Sequence, residues 1–452
     1  MNILLIQPFF KKSEKAYPLG LGYISSVLKQ RGHNVFGADL SFYHPGEILD
    51  LIKKENINLV GISAMSYNFS NAVHICKNIK SRYAVPIVVG GPHATIFKER
   101  LLRNYGGYFD YLVAGEGEWA FAELTDCLQK GVPPAHVDGL SYISNGEIFI
   151  NKKRKEEPDI NNFPFPDRNI FPIYKYRGMF AREKLYTQII TSRGCDHRCN
   201  YCPESALSNG WRGRLIENVI AEIESIVASF GIKEFHIEDA NFLGGGAKRI
   251  EELCKRIIAL KLNIKWQCPN GIPAMDFKDD SILGLMAEAG CYSISLGIES
   301  LEEGILNSMG RLYNFNSVKK IVKSAHKAGI EVTGYFMIGF PGQSLKSIKN
   351  DASLSRRLGF DFLHYSIFQL IPGSSLFYSY SDSLDIEYTI KQYAILPGIN
   401  KRSLGRLRIL FSLSGFLSPR YFLFIFSLII RNNPYRILRR AAVHLLGLDL
   451  KF

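Results

Sequence analysis

Three of the eight cysteines of this 452-residue chain lie close together, in the stretch TSRGCDHRCNYCPES. They are Cys195, Cys199 and Cys202, and their spacing is C-x3-C-x2-C. Thiolates are soft ligands that select zinc or an iron–sulfur cluster. The other cysteines are scattered singly in apolar segments, which is not a disulfide framework. The stretch therefore predicts a metal site, and the free thiols indicate a cytoplasmic protein.

Two kinds of metal site fit this spacing. A structural zinc ion needs four protein ligands, and His197 could supply the fourth. A cubane iron–sulfur cluster held by three cysteines would instead leave one iron open to a small molecule. Nothing else in the chain resembles a zinc ribbon, so the sequence favours the cluster.

The elements around the cysteines must place them at the end of a strand. The segment LYTQIITSRGC predicts a strand that runs into Cys195, and strands and amphipathic helices alternate after it. Residues 181–378 therefore predict a partial (β/α)6 barrel of the TIM type, about three-quarters closed. The cysteines would lie on the loop at the carboxyl end of its first strand.

The first 135 residues predict a different α/β domain. Five apolar strands alternate with helices, as in a flavodoxin-like (Rossmann-type) doubly wound parallel sheet. Residues 136–180 predict a hairpin with a turn at SNGE, followed by a proline-rich extended linker.

Ligands of such sheets bind at the carboxyl ends of the strands. Glycines there let a large flat or phosphate-bearing ligand approach the backbone, although they could also simply form tight turns. No G-x-G-x-x-G follows the first strand, which argues against a dinucleotide. The residues at these ends are Gln7, Pro8, Ser63, Ala64, Gly90, Gly91, Pro92, His93, Gly115, Glu116 and Gly117.

The cysteine spacing, with an aromatic residue before the last cysteine, resembles the radical S-adenosylmethionine (SAM) enzymes. The stretches GGPHAT, AGEGE and FPFPDRNIFP resemble the cobalamin-binding subclass of that family. The resemblance covers most of residues 1–378. It implies a [4Fe–4S] cluster on the three cysteines, SAM on its open iron, and cobalamin at the strand ends of the first domain. The cobalamin loop D-x-H-x-x-G is absent after the first strand, which leaves the lower cobalt ligand open.

The same resemblance implies which barrel residues contact SAM. IEDANF stands where many members carry Gly-Gly-Glu, LGIES resembles the stretch at the ribose and methionine, and MIGFPG resembles the segment at the adenine. Helix caps or plain turns would explain some of these residues as well. The candidate SAM contacts are Tyr201, Glu238, Asp239, Asn241, Glu299, Ser300 and Gly339, with Arg212 and Arg214 facing SAM or cobalamin.

The resemblance predicts an enzyme that methylates an unreactive carbon of a hydrophobic or natural-product-like small molecule. A cyclisation or rearrangement with the same cofactors, as in porphyrin ring closure, is the alternative, and a cobalamin or iron–sulfur sensor is a non-enzymatic one. A flavodoxin or ferredoxin is the expected electron donor.

The net charge of +13 is concentrated at the end of the chain. Residues 401–452 contain ten Lys or Arg and one acidic residue, which leaves +4 for the rest, so we expect no nucleic-acid partner. Residues 379–452 predict a basic, hydrophobic helical region, whose apolar stretch is split by Pro419 and Arg420 into runs too short to span a bilayer. The region predicts peripheral contact with the inner membrane face, or a helical layer over the barrel mouth.

Overall fold

The computed structural model describes residues 1–9, 16–154, 159–178, 180–380, 401–414 and 426. The chain forms two compact units. The first is built mainly from Met1–Tyr176, and the second mainly from Arg177–Ser205 and Gly210–Ile371.

The first unit contains a seven-stranded sheet of the flavodoxin type. Its strands are Asn2–Gln7 (β1), Asn34–Asp39 (β2), Leu59–Ser63 (β3), Ile87–Gly90 (β4), Tyr111–Val113 (β5), Leu140–Ser144 (β6) and Glu147–Ile150 (β7). The order is β2-β1-β3-β4-β5-β6-β7, and β1 to β5 are all parallel. The order 2-1-3-4-5 confirms the predicted doubly wound domain.

Among the described residues, six α-helices alternate with the strands of this sheet. Strand β1 is apolar throughout its centre and is fully buried from Ile3 to Ile6, as a parallel sheet with two covered faces requires. The helices are Leu19–Gln30 (α1), Pro45–Lys54 (α2), Phe69–Lys80 (α3), Pro92–Phe97 (α4), Glu99–Tyr105 (α5) and Gly117–Lys130 (α6).

The connector predicted over residues 136–180 belongs largely to the first unit. Strand β6 pairs antiparallel with β5, so the hairpin extends the sheet instead of linking two domains. The proline-rich stretch packs back on the unit, where Tyr17 Oη donates to the Asp167 carbonyl at 2.5 Å and Tyr176 Oη donates to Asp39 Oδ2 at 2.8 Å. Prolines prevent a helix here but leave carbonyls and aromatic rings free to pack. The boundary therefore falls after Tyr176.

The second unit contains the predicted barrel strands. They are Thr187–Ile189 (β8), Ser192–Arg193 (β9), Arg212–Gly213 (β10), Glu234–Ile237 (β11), Lys265–Pro273 (β12), Cys291–Glu299 (β13), Glu331–Ile338 (β14) and Phe362–Ile367 (β15). Six of them form a parallel sheet in the order β15-β14-β13-β12-β11-β8, which confirms the six repeats. The short strands β9 and β10 form a separate antiparallel pair around the cysteines.

Helices follow the barrel strands in turn. The helix Ile216–Phe230 shows why they form, since Val219, Ile223 and Ile226 recur at helical spacing and are buried, and Gly231 ends the helix at φ +64°. The other α-helices in the described ranges are Glu204–Leu207 (α7), Ile216–Phe230 (α8), Ala247–Ala259 (α9), Ile282–Glu288 (α10), Glu303–Met309 (α11), Phe315–Lys327 (α12), Leu345–Leu358 (α13), Ser375–Ser379 (α14) and Lys401–Ser414 (α15).

Part of the basic C-terminal region packs on the barrel. In α15, the Phe411 ring lies 5.5 Å from the ring of Tyr365 on β15. Within the described ranges, none of the helices has the length and hydropathy needed to cross a bilayer. The predicted membrane contact falls mainly on residues 415–425 and 427–452, which lie outside the described residues.

Candidate active site

A cavity of about 720 Å³ lies inside the second unit, and all three clustered cysteines line it. Residues of β12 to β15 form much of its wall, and Tyr201, Glu299 and Arg311 also line it. The barrel therefore brings the cysteine loop and the carboxyl end of β13 to one space, as the (β/α) architecture requires.

Asp239 fixes the start of the cysteine loop. Its fully buried carboxylate accepts hydrogen bonds from the Thr191 backbone nitrogen at 2.6 Å, from Thr191 Oγ1 at 2.5 Å and from Ser192 Oγ at 2.7 Å. Burial raises the pKa of Asp239, and these hydrogen bonds oppose the rise. The residue thus ties the end of β11 to the end of β8, and it is not among the residues that line the cavity.

Trp211 closes the far side of the loop. Its backbone nitrogen donates to Asp196 Oδ1 at 3.0 Å, and its indole Nε1 donates to the Asn241 carbonyl at 3.1 Å. The indole lies against Gly244 and Gly245, where any Cβ would collide with it. The loop that carries the cysteines is therefore held at both ends before any metal binds.

The sulfur atoms provide a donor set for a soft metal group. Burial raises the pKa of the Cys195 thiol, and it raises that of Cys202 to about 11, with neighbouring thiolates adding to both shifts. The thiols of Cys195 and Cys202 are consequently neutral in the free protein, and a bound cationic metal group would draw off their protons. Three sulfur ligands on one cavity wall fit an iron–sulfur cluster.

The alternative zinc set is not assembled. His197 Nε2 lies 2.9 Å from Asp276 Oδ1, so the imidazole is engaged with a carboxylate. In the described part of the chain, no three His, Cys, Asp or Glu side chains are grouped to hold one metal ion, and this holds for the three cysteines as well as for the zinc set.

Arg311 is a site residue that the sequence analysis missed. Its Nη2 donates to Tyr201 Oη at 2.7 Å and lies 3.8 Å from Glu299 Oε1. Burial raises the pKa of Glu299, while the guanidinium of Arg311 lowers it. Among the described residues, the buried Arg311 Nη1 has no hydrogen-bond partner. A guanidinium on a cavity wall with an unused donor suits an anionic ligand such as a carboxylate.

The backbone shows how these residues reach the cavity. Helix α11 ends at Gly310 with φ +77°, so the chain reverses and returns Arg311 to the wall. Glu299 itself has φ +61°, an uncommon conformation for a residue with a side chain. Such strain is typical of functional sites.

Other predicted SAM contacts make hydrogen bonds within the protein and do not line the cavity. Asn241 Nδ2 donates to Asp276 Oδ2 at 2.9 Å, and Glu238 Oε2 accepts from Asn270 Nδ2 at 3.3 Å. Asn270 does line the cavity, so Glu238 stands one residue behind the wall.

Ser300 and Gly339 also lie behind the wall. Ser300 Oγ donates to Asp351 Oδ2 at 2.7 Å, and the Gly339 nitrogen donates to Gln343 Oε1 at 2.8 Å. Both contacts position the loops after β13 and β14.

The two predicted arginines differ in their surroundings. Arg214 is buried, and its Nη1 donates to Glu222 Oε2 at 2.5 Å and to the Ile190 carbonyl at 2.8 Å. This pair anchors α8 to β8 and leaves Arg214 away from the cavity. Arg212 lies half-buried on β10 and is likewise not a lining residue.

The predicted cobalamin residues lie at the carboxyl edge of the first sheet. Gly91 has φ +94°, and a Cβ there would collide with the backbone of Ala64. The Ala64 nitrogen donates to the Gly90 carbonyl at 2.8 Å, which joins the ends of β3 and β4. Gly115 has φ +87° with open space around its missing Cβ. The edge thus offers bare backbone to a ligand. Gln7, Pro8, Ser63, Pro92, Glu116 and Gly117 lie at the ends of β1 and β3 and at the starts of α4 and α6.

His93 lies within an aromatic cluster at this edge. Its ring stacks on Phe69 at 4.1 Å and lies 4.6 Å from Phe97, and its Nδ1 is 3.0 Å from Ser66 Oγ. Burial lowers the pKa of His93 to about 3, so the imidazole is neutral. Its Nε2 is buried without a partner among the described residues.

A cysteine-lined parallel barrel and a flavodoxin-type sheet together define the class of protein. Residues 189–354 match the model of the radical SAM superfamily, and residues 12–125 match that of the B12 binding domain. An uncharacterised methyltransferase of Pyrococcus horikoshii is 30% identical over 417 residues, covering 89% of this chain and 88% of the relative. The chain therefore belongs to the cobalamin-dependent radical SAM enzymes, whose cofactors are a [4Fe–4S] cluster, SAM and cobalamin.

Two further proteins are similar over most of the chain. The anaerobic magnesium-protoporphyrin IX monomethyl ester cyclase of Rubrivivax gelatinosus is 21% identical over 416 residues, covering 89% of this chain and 74% of the relative. The radical SAM methyltransferase TsrM of Kitasatospora setae, solved with cobalamin and a [4Fe–4S] cluster, has a TM-score of 0.69 at 20% identity. That alignment covers 83% of this chain and 73% of TsrM, and it supports the fold.

Proposed function

We propose that the protein transfers a methyl group to an unreactive carbon of a natural-product-like small molecule. The observation that carries the proposal is the shared cavity, which collects Cys195, Cys199 and Cys202 together with Tyr201, Glu299 and Arg311. The relative from Pyrococcus horikoshii, which is named a methyltransferase, supports methyl transfer over the other reactions of the family.

The three cysteines would hold the cluster, and the residues beside them would hold SAM. When bound, the cluster and SAM together supply a 5′-deoxyadenosyl radical, and cobalamin supplies the methyl group. Arg311 would pair with the carboxylate of SAM through its unused Nη1. Glu299 would accept hydrogen bonds from the ribose hydroxyls or the amino group.

Tyr201 would serve as a positioning residue. Its hydroxyl accepts from both Arg311 Nη2 and Nε, and its ring makes an edge contact with Phe340 at 6.3 Å. These contacts fix the backbone between Cys199 and Cys202, and the tight packing keeps water from the wall.

The first unit would bind cobalamin at its glycine-rich edge. The open space at Gly115 and the half-buried backbone at Gly90 and Gly91 would admit a corrin ring or its phosphate-bearing tail. A reduced flavodoxin or ferredoxin would supply the electron that starts SAM cleavage.

Product analysis tests the proposal. The protein is reconstituted anaerobically with iron, sulfide and cobalamin, and is then given SAM, a reductant and candidate substrates. Methyl transfer yields S-adenosylhomocysteine and a substrate heavier by one methylene, measured by mass spectrometry. A product set with 5′-deoxyadenosine and no S-adenosylhomocysteine would instead establish the cyclase-like alternative, which the resemblance to the Rubrivivax enzyme supports.

A further inference from the structure

The inner faces of β13, β14 and β15 carry an unusual set of side chains. Along β14, the half-buried Thr333 and Tyr335 face the cavity and alternate with the buried Val332 and Phe336. Bulky branched residues normally fill the interior of such barrels. Here the lining residues from the centres of the three strands form a polar wall of Ser293, Ser295, Thr333, Tyr335, His364 and Ser366.

Most of the charged residues that line this cavity lie at its two ends, and Glu204 lines it two positions after Cys202. Glu299 and Arg311 lie at the carboxyl end of the strands, beside the cysteines. At the amino end, Glu331 pairs with Arg182 Nη2 at 2.8 Å. Between these ends, the described residues of the polar wall include neither a carboxylate nor a guanidinium. Glu331 is the register partner of Ser293, and its carboxylate is already paired with Arg182, so a ligand group bound at the wall meets no unpaired charge there.

The hydroxyl groups of the polar wall differ in how far they are satisfied. Tyr335 Oη donates to the Pro269 carbonyl at 2.7 Å and lies 3.3 Å from Ser295 Oγ, which fixes the ring. In the parts of the chain that the structure describes, the hydroxyls of Ser293 and Thr333 have no hydrogen-bond partner, and neither oxygen is buried away from the cavity. Water in the cavity can satisfy both hydroxyls. A bound molecule that displaces this water must supply hydrogen-bonding groups in its place, because unpartnered polar groups cost free energy.

We infer that the polar wall binds a substrate that presents uncharged hydrogen-bonding groups, such as hydroxyl, amide or ring N–H. The inference rests on the proposed function, because it assigns the substrate of the same cavity. It replaces the expected hydrophobic substrate with one that is partly polar. The carbon skeleton of the substrate contacts Met337 and Phe362, and its polar groups contact Thr333, Tyr335 and their neighbours on the wall.

Three probes of one shape test this specificity. They are 2-naphthol, which carries a neutral hydroxyl, naphthalene, which is apolar, and 2-naphthoate, which is anionic. Each is titrated by calorimetry into the reconstituted enzyme with SAM and hydroxocobalamin bound and no reductant present. One or two added hydrogen bonds give 2-naphthol about tenfold tighter binding than naphthalene, and 2-naphthoate binds most weakly. Equal or tighter binding of naphthalene or 2-naphthoate overturns the inference.

Single substitutions test whether the preference for 2-naphthol depends on the polar wall. Thr333→Val removes a hydroxyl at constant shape, and Ser293→Ala is a second variant on the neighbouring strand. Each is expected to cut the preference for 2-naphthol to about threefold. Ile338→Val is the matched control, since Ile338 lies on β14 and is buried away from the cavity lining. An undiminished preference in both wall variants contradicts the assignment.

A separate assay distinguishes this inference from the proposed function. The wild-type enzyme is given dithionite and SAM, and 5′-deoxyadenosine is measured. Absence of SAM cleavage by a fully reconstituted enzyme contradicts the proposed function, whatever the probes show. Cleavage together with preferred binding of naphthalene leaves the proposed function intact and contradicts the polar substrate.

Discussion

The carboxyl edges of the two parallel sheets present different chemical groups to a ligand. In the first unit, Gly90, Gly91 and Gly115 expose backbone, and the nearby His93 is enclosed by aromatic rings. In the second unit, the edge carries the cysteine loop and the charged pair of Glu299 and Arg311. Both edges are places where ligands of parallel sheets generally bind, at the carboxyl ends of the strands.

The difference follows from what each ligand needs. A corrinoid arrives with its metal already coordinated by its own ring, so a protein can bind it by providing space and backbone donors. A bare cluster and a small zwitterion need ligating sulfur and charged groups from the protein. Under the proposed function, the same topology would serve binding by shape in one unit and binding by side-chain chemistry in the other.

The largest expected effect comes from removing one cluster ligand. Cys199→Ala leaves two thiolates, so the cluster absorbance and SAM cleavage should fall below detection, measured by visible spectroscopy and product chromatography. Cobalamin binding to the first unit should persist. Cys254→Ala is the control, because this buried cysteine lies on α9 and outside the lining. A Cys199→Ala protein that still carries a full cluster would show that Cys199 is not a cluster ligand. The contrast between the two sheet edges would then lose its main support.

Arg311→Gln tests the charged half of the second edge. Loss of a charge-assisted hydrogen bond to the SAM carboxylate should weaken SAM binding by about tenfold to a hundredfold, with cobalamin affinity unchanged. Equilibrium dialysis with labelled SAM measures the change. Arg356→Gln makes the same charge change on the exposed face of α13 and should have no effect. Equal SAM affinity in both variants would exclude Arg311 as a SAM contact.

Gly115→Ala tests the first edge. The substitution places a Cβ in open space at φ +87°, so it should cost about 1 kcal/mol of stability and weaken cobalamin binding about fivefold. Gly131→Ala is the matched control, since Gly131 also has a positive φ of +65° and open space but lies at the end of α6. Both variants should lose similar stability in thermal unfolding. If they also bind cobalamin equally well, the glycine edge is only a set of turns.

The smallest effect concerns the protonation of His93. Its folded pKa of about 3 lies below the ordinary 6.5, so the unfolded chain binds the extra proton as the pH falls below 6.5. Stability should therefore decrease toward acid, by at most about 1.4 kcal/mol per pH unit from this group. His93→Phe should flatten that dependence in thermal unfolding between pH 5 and 7. An identical slope in the variant would mean that His93 is accessible to protons in the folded state.

The local sequence pattern predicted the strands and helices well, but it predicted poorly which elements pack or pair with each other. The alternation of strands and helices and the cysteine spacing are set within short windows, so both units and the cysteine loop could be read from the chain. The hairpin at residues 140–150 was also found, but its pairing with β5 was not, because a two-stranded ribbon carries no signal of the edge it joins.

The predicted site residues show the same difference between what a local pattern indicates and what a tertiary contact decides. Tyr201 and Glu299 were predicted from motifs and line the cavity, and their contact with SAM stays a prediction. Asp239 was also predicted to contact SAM, and in the structure its carboxylate accepts hydrogen bonds from Thr191 and Ser192 at the base of the loop. Apart from the glycine before it, the sequence around Arg311 does not indicate that this residue lines the cavity. Its position depends on a contact with Tyr201, which is 110 positions away in the chain.

The sequence by itself determined the class of chemistry, since ligand type and spacing are local properties that three cysteines express within one loop. Tertiary structure alone decided which polar groups share the cavity, which are consumed in holding the loop, and which remain available to a ligand. The physical reason is that hydrogen bonding and burial depend on side chains brought together from distant strands, and a strand's own pattern shows only which of its faces turns inward.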